Sequence, residues 1–364
     1  MITPFTGSYT LDDVQFLLKP MVLQDTPIHI KEALIQSGAK HYSQMLTHES
    51  LPPEHYLPLF YQALDLNQQR MAEHVLILAQ RIMETRPHGI TLVSLARAGT
   101  PIGVLLKHVL SRYFNSEVSH YSISILRDVG IDQNALRYIL QSHAPESLVF
   151  VDGWTGKGVI ALQLATSLQA FAVTDGVMIP AELYVLADLS GSAAMAATSE
   201  DYLIPSCILN ATVSGLVSRS IYEPETAGAN DFHGCMYYCE FEPQDLSRYF
   251  IDTLLTAVEL VHQKPKYKLA SGDYDRLHLQ AISQVLLHWI SERYGISQYN
   301  YVKPGIGEAT RVLLRREARV LLLKDLECES TRHLRYLAEA RAIPVDIFPD
   351  LPYLAVALIK ELHL

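Results

Sequence analysis

The chain has 364 residues, of which 49% are hydrophobic and 19% are charged, so it is long enough for two or three domains and too apolar for disorder. Its formal net charge of −10 argues against a protein that coats nucleic acid non-specifically, which leaves only a local basic patch for such a role. Four cysteines do not make a disulfide framework, and the sequence has neither a secretory signal nor a membrane-length apolar run. We therefore expect a cytoplasmic protein with reduced thiols.

The first 190 residues divide into a helical part and an alternating part. Residues 1 to about 85 are predicted to be mostly helical, because apolar residues recur at helical spacing in 11–18 and 61–83. Continuous apolar strands separated by helices then predict a parallel sheet covered on both faces. The strands are predicted at 91–97, 119–125, 148–152 and 183–188, and the helices near 101–113, 132–142 and 157–170.

The remaining sequence predicts more helices and a second, smaller alternating unit. Long helices are predicted near 244–262 and 273–294, with a polar turn between them. The last unit is predicted to contain a helix at 307–316, a strand at 318–323, a helix at 330–341, a strand at 343–348 and a helix at 351–362. We thus expect an α/β protein with a helical N-terminal region (1–85), a parallel-sheet core (86–262), a helical linker (263–299) and a small α/β domain (300–364).

The first strand-to-helix loop of the core carries an arginine beside two small residues. Ser94 lies in the strand, Arg97 at its end, and Ala98 and Gly99 lead into a helix that has Pro101 in its first turn. The first N–H groups of a helix have no partner within the helix, and the helix dipole favours an anion at that end. An arginine beside such amides suits a phosphate oxyanion.

The second loop, residues 152–158, combines one acid, one lysine and three glycines. Asp152 ends an apolar strand, where its carboxylate could hold a hydrated magnesium ion or accept hydrogen bonds from ribose hydroxyls. A Walker A motif is excluded, because it would need glycine in place of Val151 and Ser or Thr in place of Gly158. The predicted phosphate-binding residues of this loop are Gly153, Thr155, Gly156, Lys157 and Gly158.

This pair of loops resembles the phosphoribosyltransferases, with 94–103 similar to their pyrophosphate loop and 149–158 to a shortened phosphoribosyl-pyrophosphate loop. The resemblance implies displacement of pyrophosphate from ribose, with Mg²⁺ on Asp152 and with Arg97 and Lys157 stabilising the leaving group. It also implies a phosphorylated ribose as the small-molecule substrate. Arg127 and Asp128 would belong to a mobile lid over it. Ordinary members carry a second acid where this chain has Gly153.

The wider sequence resembles a bacterial family found with tellurium- and stress-resistance gene clusters, some of whose members carry the name cysteine protease StiP. The segments that carry this resemblance include 7–9, 41–43, 127–132, 203–206, 213–219 and 231–234. The family couples a phosphoribosyltransferase-like core to a Pelota-type RNA-binding domain. This resemblance implies the same two parts here.

A cysteine nucleophile is the competing chemistry. Cys207 and His233 could form a nucleophile–base pair, with Asn210 or Asp231 orienting the histidine. His233 also lies near Cys235 and Cys239, but a second zinc-ligand pair at the usual spacing is missing, so we expect packed thiols there.

The last unit opens with a glycine-containing turn that is flanked by basic residues. Backbone amides at a helix start, together with arginines, suit an RNA phosphate backbone. The turn resembles the Gly-x-Asn-Glu signature of ribosomal L7Ae and Pelota proteins, with Gly307 in place of the asparagine. The predicted RNA-binding residues are Lys303, Gly305, Gly307, Glu308, Arg311 and Arg315.

Three functions therefore follow from the sequence. The first is a phosphoribosyltransferase that acts on a base- or nucleotide-like acceptor. The second is a cysteine peptidase that uses Cys207 and His233, and the third is a non-catalytic protein that binds RNA or senses a nucleotide. The sequence favours the first.

Overall fold

A computed structural model describes residues 3–222, 228–263 and 274–361. Most of the polar turn expected before the helix at 273–294 lies outside these residues. The strands within them are β1 (Gln15–Leu17), β2 (Lys19–Pro20), β3 (Ile90–Leu95), β4 (Val118–Ile123), β5 (Ile125–Leu126), β6 (Gly130–Ile131), β7 (Leu148–Thr155), β8 (Leu183–Asp188), β9 (Met195–Thr198), β10 (Val217–Ile221), β11 (Gly234–Tyr237), β12 (Val302–Pro304), β13 (Ala318–Leu323), β14 (Val345–Ile347) and β15 (Ala355–Ile359). The helices are α1 (Ile28–Gln36), α2 (Leu57–Thr85), α3 (Gly99–Tyr113), α4 (Gln133–Ile139), α5 (Val159–Asp175), α6 (Ser247–His262), α7 (Arg276–Tyr294), α8 (Ile306–Arg315) and α9 (Arg332–Ala340).

The main sheet has six parallel strands in the order β1-β4-β3-β7-β8-β9. Strands β3, β7 and β8 are almost entirely buried, because α2, α3 and α6 cover one face and α4 and α5 cover the other. The predicted mixed α/β protein with a parallel-sheet core is confirmed. Since all six strands run the same way, the loops after β3 and β7 emerge at one edge of the sheet.

The N-terminal segment contributes to the sheets instead of forming the helix predicted at 11–18. Strand β1 pairs with the edge strand β4, and β2 pairs with β11 in a second, three-stranded sheet. Phe16, Leu17 and Leu18 are fully buried there. The spacing of apolar residues does not show that the edge of the parallel sheet offers backbone hydrogen-bond partners. Pairing with that edge made this segment a strand.

The C-terminal unit is a four-stranded sheet in the order β12-β15-β13-β14, with α8 and α9 packed against it. The helix predicted at 351–362 is wrong, because Ala355–Ile359 forms the central strand β15. All five of its residues are buried. A short apolar run that is buried on both faces has no period that separates a strand from a helix.

The C-terminal unit is fastened to the core by a carboxylate of the core. Asp201 accepts hydrogen bonds from the backbone N–H of Ile306 (3.0 Å) and of Leu354 (2.9 Å). Helix α8 follows Gly305, which has no side chain to cap it, so Asp201 supplies the cap. The Tyr353 hydroxyl of the C-terminal unit also donates to the carbonyl of Leu189 at 2.6 Å, so the two units meet just past the end of β8. No helix among the described residues has the length and apolar character that a bilayer crossing requires.

Candidate functional site

The loop between β3 and α3 is packed against its neighbours. Ser94 Oγ lies 2.7 Å from His120 Nε2, and His120 Nδ1 lies 2.8 Å from the carbonyl of Asp13. A carbonyl only accepts, so the neutral ring carries its proton on Nδ1 and Nε2 accepts from Ser94. A Cβ on Gly99 would lie 2.2 Å from the carbonyl oxygen of Val151, so this position needs glycine. The predicted open phosphate cradle is therefore filled by protein.

The side chain of Arg97 is hydrogen-bonded to the segment 210–214. Its guanidinium donates to Asn210 Oδ1 at 3.1 Å and to Ser214 Oγ at 3.3 Å. Burial lowers the pKa of Arg97 to about 10, against the opposing influence of Glu49. With its neighbour Ala98, Arg97 lines a narrow cavity that also contains Cys207.

The loop after β7 forms a tight turn into α5. Thr155 Oγ1 accepts from the backbone N–H of Gly158, whose φ of +76° favours glycine. A Cβ on Gly156 would lie 2.6 Å from the carbonyl oxygen of Pro304 in the C-terminal unit. Asp152 accepts from the N–H of Gly153 at 2.7 Å, and burial raises the pKa of Asp152 to about 6, although Arg311 opposes the rise.

Lys157 faces a second cavity, of about 290 Å³, between this loop and the C-terminal unit. Its ammonium group donates to the carbonyl of Tyr299 at 2.5 Å. Burial, helped by Lys303, lowers the pKa of Lys157 to about 7. Arg127 lines the same cavity and pairs with the largely exposed Asp128 at 3.0 Å.

Arg97 and Lys157, the two predicted phosphate-binding cations of these loops, do not line the same cavity. Arg97 lines the narrow cavity and Lys157 the larger one, while Trp154 and Arg311 form part of both walls. The Arg311 guanidinium lies over the Trp154 ring, 4.7 Å from its centroid. The predicted joint grip of Arg97 and Lys157 on one sugar phosphate is therefore not formed.

Magnesium at Asp152 stays a prediction. Among the described residues, no group of three or more His, Cys, Asp or Glu side chains could hold a metal ion. Asp152 shares its cavity with one other carboxylate, that of Glu308, and the two do not make a group of three in the described part of the chain. The same finding includes no such group at His233, Cys235 and Cys239 among the described residues.

The glycine turn that is predicted to bind RNA packs against the core. A Cβ on Gly307 would lie 2.4 Å from the Trp154 ring, and one on Gly305 would lie 2.5 Å from Leu189. Glu308 accepts from Trp154 Nε1 at 3.3 Å and from Arg311 at 2.8 Å. The expectation of an exposed glycine loop is corrected accordingly: docking to the core covers it.

Arg315, Lys303 and Arg311 differ in how the core engages them. Arg315 donates to Glu49 at 2.9 Å and to Asn210 at 2.6 Å. Lys303 and Arg311 line the larger cavity. The basic side of α8 is thus divided between ion pairs with the core and a solvent-filled space.

Cys207 lies in a chain of hydrogen bonds that crosses into the C-terminal unit. Its thiol approaches Thr310 Oγ1 at 3.8 Å, and Thr310 Oγ1 lies 2.8 Å from His333 Nε2. Burial raises the pKa of Cys207 to about 12 and lowers that of His333 to about 3. The thiol and the imidazole are both neutral in this arrangement.

His233 lies in a different place from Cys207. Its Nδ1 is 2.9 Å from Ser124 Oγ, and its backbone N–H donates to Asp132. It lines a cavity of about 370 Å³ together with Asp231, whose carboxylate pairs with Lys19 at 2.5 Å. The structure therefore does not bring His233 to Cys207, and it places His333 near the thiol instead.

Glu49 is the centre of a charged cluster that the sequence did not reveal. Besides the ion pair with Arg315, it accepts from Ser218 Oγ at 2.5 Å and from the N–H of Ala211 at 3.1 Å. Arg315, Arg97 and Arg219 hold the pKa of this buried carboxyl down at about 2, although burial acts in the opposite direction. Glu49, Thr310 and His333 come from segments far apart in the chain, so no local motif points to them.

Two comparisons cover nearly the whole chain. The family model described as tellurite-like stress resistance cysteine protease StiP matches residues 7–255, and the model of the PELOTA RNA binding domain matches residues 281–361. A relative from Acinetobacter baylyi named "Cysteine protease StiP" is 42% identical over 368 residues, which cover 98% of this chain and 95% of the relative.

These findings correct the function that the sequence favoured. The family and the relative are named as cysteine proteases, which contradicts phosphoribosyl transfer and favours the competing peptidase hypothesis. The resemblance to the StiP family and the Pelota-type domain expected at the C-terminal side are both confirmed. The chain belongs to the StiP family of stress-resistance cysteine proteases and carries a Pelota RNA-binding domain at its C-terminal side.

Proposed function

We propose that this protein is a cysteine peptidase of a tellurite-type stress response, with Cys207 as its nucleophile. The family description and the relative's name support peptidase chemistry. The observation that carries the choice of residue is the chain from Cys207 Sγ through Thr310 Oγ1 to His333 Nε2. A nucleophile needs a base within reach, either directly or through one hydroxyl.

The proton path follows from this chain. In the docked structure the Thr310 hydroxyl donates to the carbonyl of Ile306 at 2.7 Å, so it must first turn toward His333 Nε2. The Cys207 thiol then passes its proton to the Thr310 hydroxyl, which passes its own proton to His333 Nε2. The sulfur then attacks the scissile carbonyl carbon, the carbon–nitrogen bond breaks, and the departing amine takes the proton from His333. Water hydrolyses the resulting thioester and returns the proton to the sulfur.

The negative oxygen of the tetrahedral intermediate would be stabilised in the same cavity. Asn210 Oδ1 accepts from Arg97 and Arg315, which leaves the Asn210 amide nitrogen as a donor. Arg97 adds a buried positive charge beside it. Donors of this kind are the largest single contribution in many acyl-transfer sites.

The docked arrangement corresponds to a resting state of this peptidase. Moving a proton from a thiol with a pKa of about 12 to an imidazole with a pKa of about 3 costs roughly 12 kcal/mol, at about 1.4 kcal/mol per unit. Cys207 is only 5% exposed, so a substrate cannot reach it either. Activity therefore requires a local opening beside Cys207 that admits water and substrate while Thr310 and His333 keep their contacts with the thiol.

The test compares variants in a cleavage assay on a mixed peptide library. Cys207→Ala should abolish cleavage, whereas Cys235→Ala, Cys239→Ala and Cys328→Ala should retain it. Trp154→Ala loosens the contact with α8 and should raise both cleavage and alkylation of Cys207 by iodoacetamide. Full cleavage by Cys207→Ala, or no cleavage by either the wild type or Trp154→Ala, would overturn the proposal.

A matched histidine pair identifies the base. His333→Gln should lose activity, and His233→Gln should retain it, because only His333 connects to Cys207 through Thr310. The opposite pattern would return the base to His233 and would rule out the relay.

We also propose that the C-terminal unit binds RNA. The matched family supports this, as do the basic residues Lys303, just before α8, and Arg311 and Arg315 within it. Because Trp154 and Glu49 engage this side of α8, RNA must compete with the core. Fluorescence anisotropy with a structured RNA should show tighter binding by Trp154→Ala. The proposal is contradicted if RNA binds equally to the wild type, to Trp154→Ala and to the double variant Trp154→Ala/Arg311→Gln.

The finer descriptions of the fold remain proposals. We propose that the core shares the phosphoribosyltransferase fold without its reaction, that the last unit is L7Ae-like, and that the domain boundaries lie near 85, 262 and 299. The four free cysteines fit a cytoplasmic location. An experimental structure and fractionation of the cells test these points.

A further inference from the structure

The outer side of α5 carries no charged residue. Its inner side packs against the parallel sheet through Leu164, Leu168 and Phe171. Residues 159–174 contain no Asp, Glu, Lys, Arg or His, although 19% of the whole chain is charged. Helices α2 and α6, by contrast, expose ion-paired side chains. Since the outer side of a surface helix normally carries charged residues, α5 has the composition of a helix that is covered on both sides.

Two large apolar side chains project from this outer side. Leu162 is 71% exposed and Val173 is 83% exposed. Val173 comes eleven positions after Leu162, which is about three helical turns, so both side chains point the same way. Apolar groups that are collected on one exposed face mark an interaction site, whereas isolated ones do not.

The residues of this face form a pattern that reads the same from both ends. The face consists of Leu162, Ala165, Thr166, Gln169, Ala170 and Val173, all of which are exposed or half-buried. In chain order these residues are apolar, alanine, polar, polar, alanine and apolar. Such a face is complementary to a second copy of itself, which is what an interface with two-fold symmetry requires.

An antiparallel pair of α5 helices matches like with like along the whole face. Leu162 of one copy lies against Val173 of the other, and the alanines face one another. The alanines let the helix axes approach to about 8 to 10 Å, the usual spacing of packed helices. Thr166 lies opposite Gln169, where hydroxyl and amide can exchange a hydrogen bond, and polar pairs within a helix interface fix its register.

The distribution of charge favours a second copy over a charged partner. The chain has a formal net charge of −10, so two copies repel each other unless they meet through an uncharged face. Asp175, at the end of α5, is already paired with Arg137 at 2.6 Å. A basic partner would therefore find no free carboxylate on this face. Antiparallel helices also place the positive start of one dipole beside the negative end of the other.

We propose that two copies of this chain associate reversibly through an antiparallel pair of α5 helices. The contact covers about three helical turns, which is smaller than the interface of an obligate dimer. We therefore expect a dissociation constant on the order of micromolar. This association goes beyond the peptidase chemistry and does not depend on Cys207.

Sedimentation velocity over a hundredfold range of protein concentration tests the association. The wild type should change from the mass of one chain to that of two as the concentration rises. Leu162→Glu and Val173→Glu should each raise the dissociation constant at least tenfold, because a carboxylate from each copy would enter an apolar contact. Leu277→Glu is the matched control, since Leu277 is 78% exposed on α7 and its replacement should leave the dissociation constant unchanged.

Paired charges test the register of the two helices. Thr166→Lys/Gln169→Glu places a lysine opposite a glutamate of the other copy and should associate at least as tightly as the wild type. Thr166→Lys/Gln169→Lys places lysine opposite lysine and should weaken association at least tenfold. Both positions are exposed, so neither double variant should lower the urea midpoint of unfolding.

The proposal is overturned if the wild type sediments as a single chain at every concentration. It is also overturned if Leu277→Glu weakens association as much as Leu162→Glu does, or if the two double variants associate equally. Cys207→Ala should dimerise like the wild type, so failure of the peptidase proposal would leave this one standing.

Discussion

Replacement of Glu49 by Gln should destabilise the protein strongly, because it removes the central anion of a buried cluster. Glu49 is 5% exposed and pairs with Arg315, and Arg97 and Arg219 also stabilise its charge. Glutamine keeps the shape and can still accept a hydrogen bond from Ser218. The substitution therefore tests the charge more than the packing.

Two routes give the same magnitude. The pKa of Glu49 is lowered from 4.5 to about 2, and at about 1.4 kcal/mol per unit this corresponds to about 3 kcal/mol of stability. Removing one partner of a buried ion pair costs about 3 to 5 kcal/mol in general. We therefore expect the free energy of unfolding to fall by about 3 kcal/mol at pH 7.

The assay is urea denaturation followed by tryptophan fluorescence, since the chain has two tryptophans, Trp154 and Trp289. Glu200→Gln is the control, because Glu200 is 63% exposed in its pair with Arg70 and its loss should cost under about 1 kcal/mol. A depressed acid pKa stabilises the protein above pH 4.5, and this contribution disappears as pH falls through about 2. A loss below 1 kcal/mol for Glu49→Gln, or a loss that does not shrink with acid, would refute the reasoning.

Two further predictions rest on buried groups. Burial lowers the pKa of His74 to about 4 and those of His120 and His333 to about 3, so the unfolded chain takes up protons below pH 6.5 while the folded protein does not. Each of these histidines should therefore lower the free energy of unfolding by about 2 kcal/mol between pH 7 and pH 5. A free energy of unfolding that stays constant over this range in urea titrations would disprove the lowered pKa values. Gly307→Ala should weaken docking of the C-terminal unit by about 1 to 3 kcal/mol, because the new Cβ meets the Trp154 ring at 2.4 Å. Its readout is a red-shifted Trp154 emission in a Trp289→Phe background, and an unshifted spectrum would show that the indole moves aside without cost.

Much of the parallel core could be predicted because its signals are local. Strands β3, β7 and β8 are continuous apolar runs, and the helices between them show helical spacing. Residues 11–18 and 355–359 were assigned to helices and are not helical. Both contain short strands whose partners, β4 and β13, are distant in sequence, so spacing alone could not identify them.

The candidate site was less predictable, since side-chain direction decides it. The sequence predicts Arg97 and Asp152 at strand ends; Arg97 does follow β3, whereas β7 continues past Asp152 to Thr155. Arg97 donates to Asn210 and Ser214 and lines the other cavity. Cys207 was singled out from the sequence, whereas its neighbours Thr310 and His333 were not. They reach it only because the C-terminal unit docks on the core, and no local pattern encodes that docking.

The start of α8 depends on a residue more than a hundred positions earlier. Asp201 accepts a hydrogen bond from the first backbone N–H of this helix, that of Ile306, because Gly305 has no side chain to do so. A fragment that contains only residues 281–361 would lack that acceptor and would begin with a frayed turn, at a cost of about 1 kcal/mol. Affinities measured on such a fragment would therefore describe a looser helix than the one in the intact chain. Replacing Gly305 by Asn or Ser would restore a helix cap only in the isolated fragment, because in the intact protein the new side chain would meet Leu189.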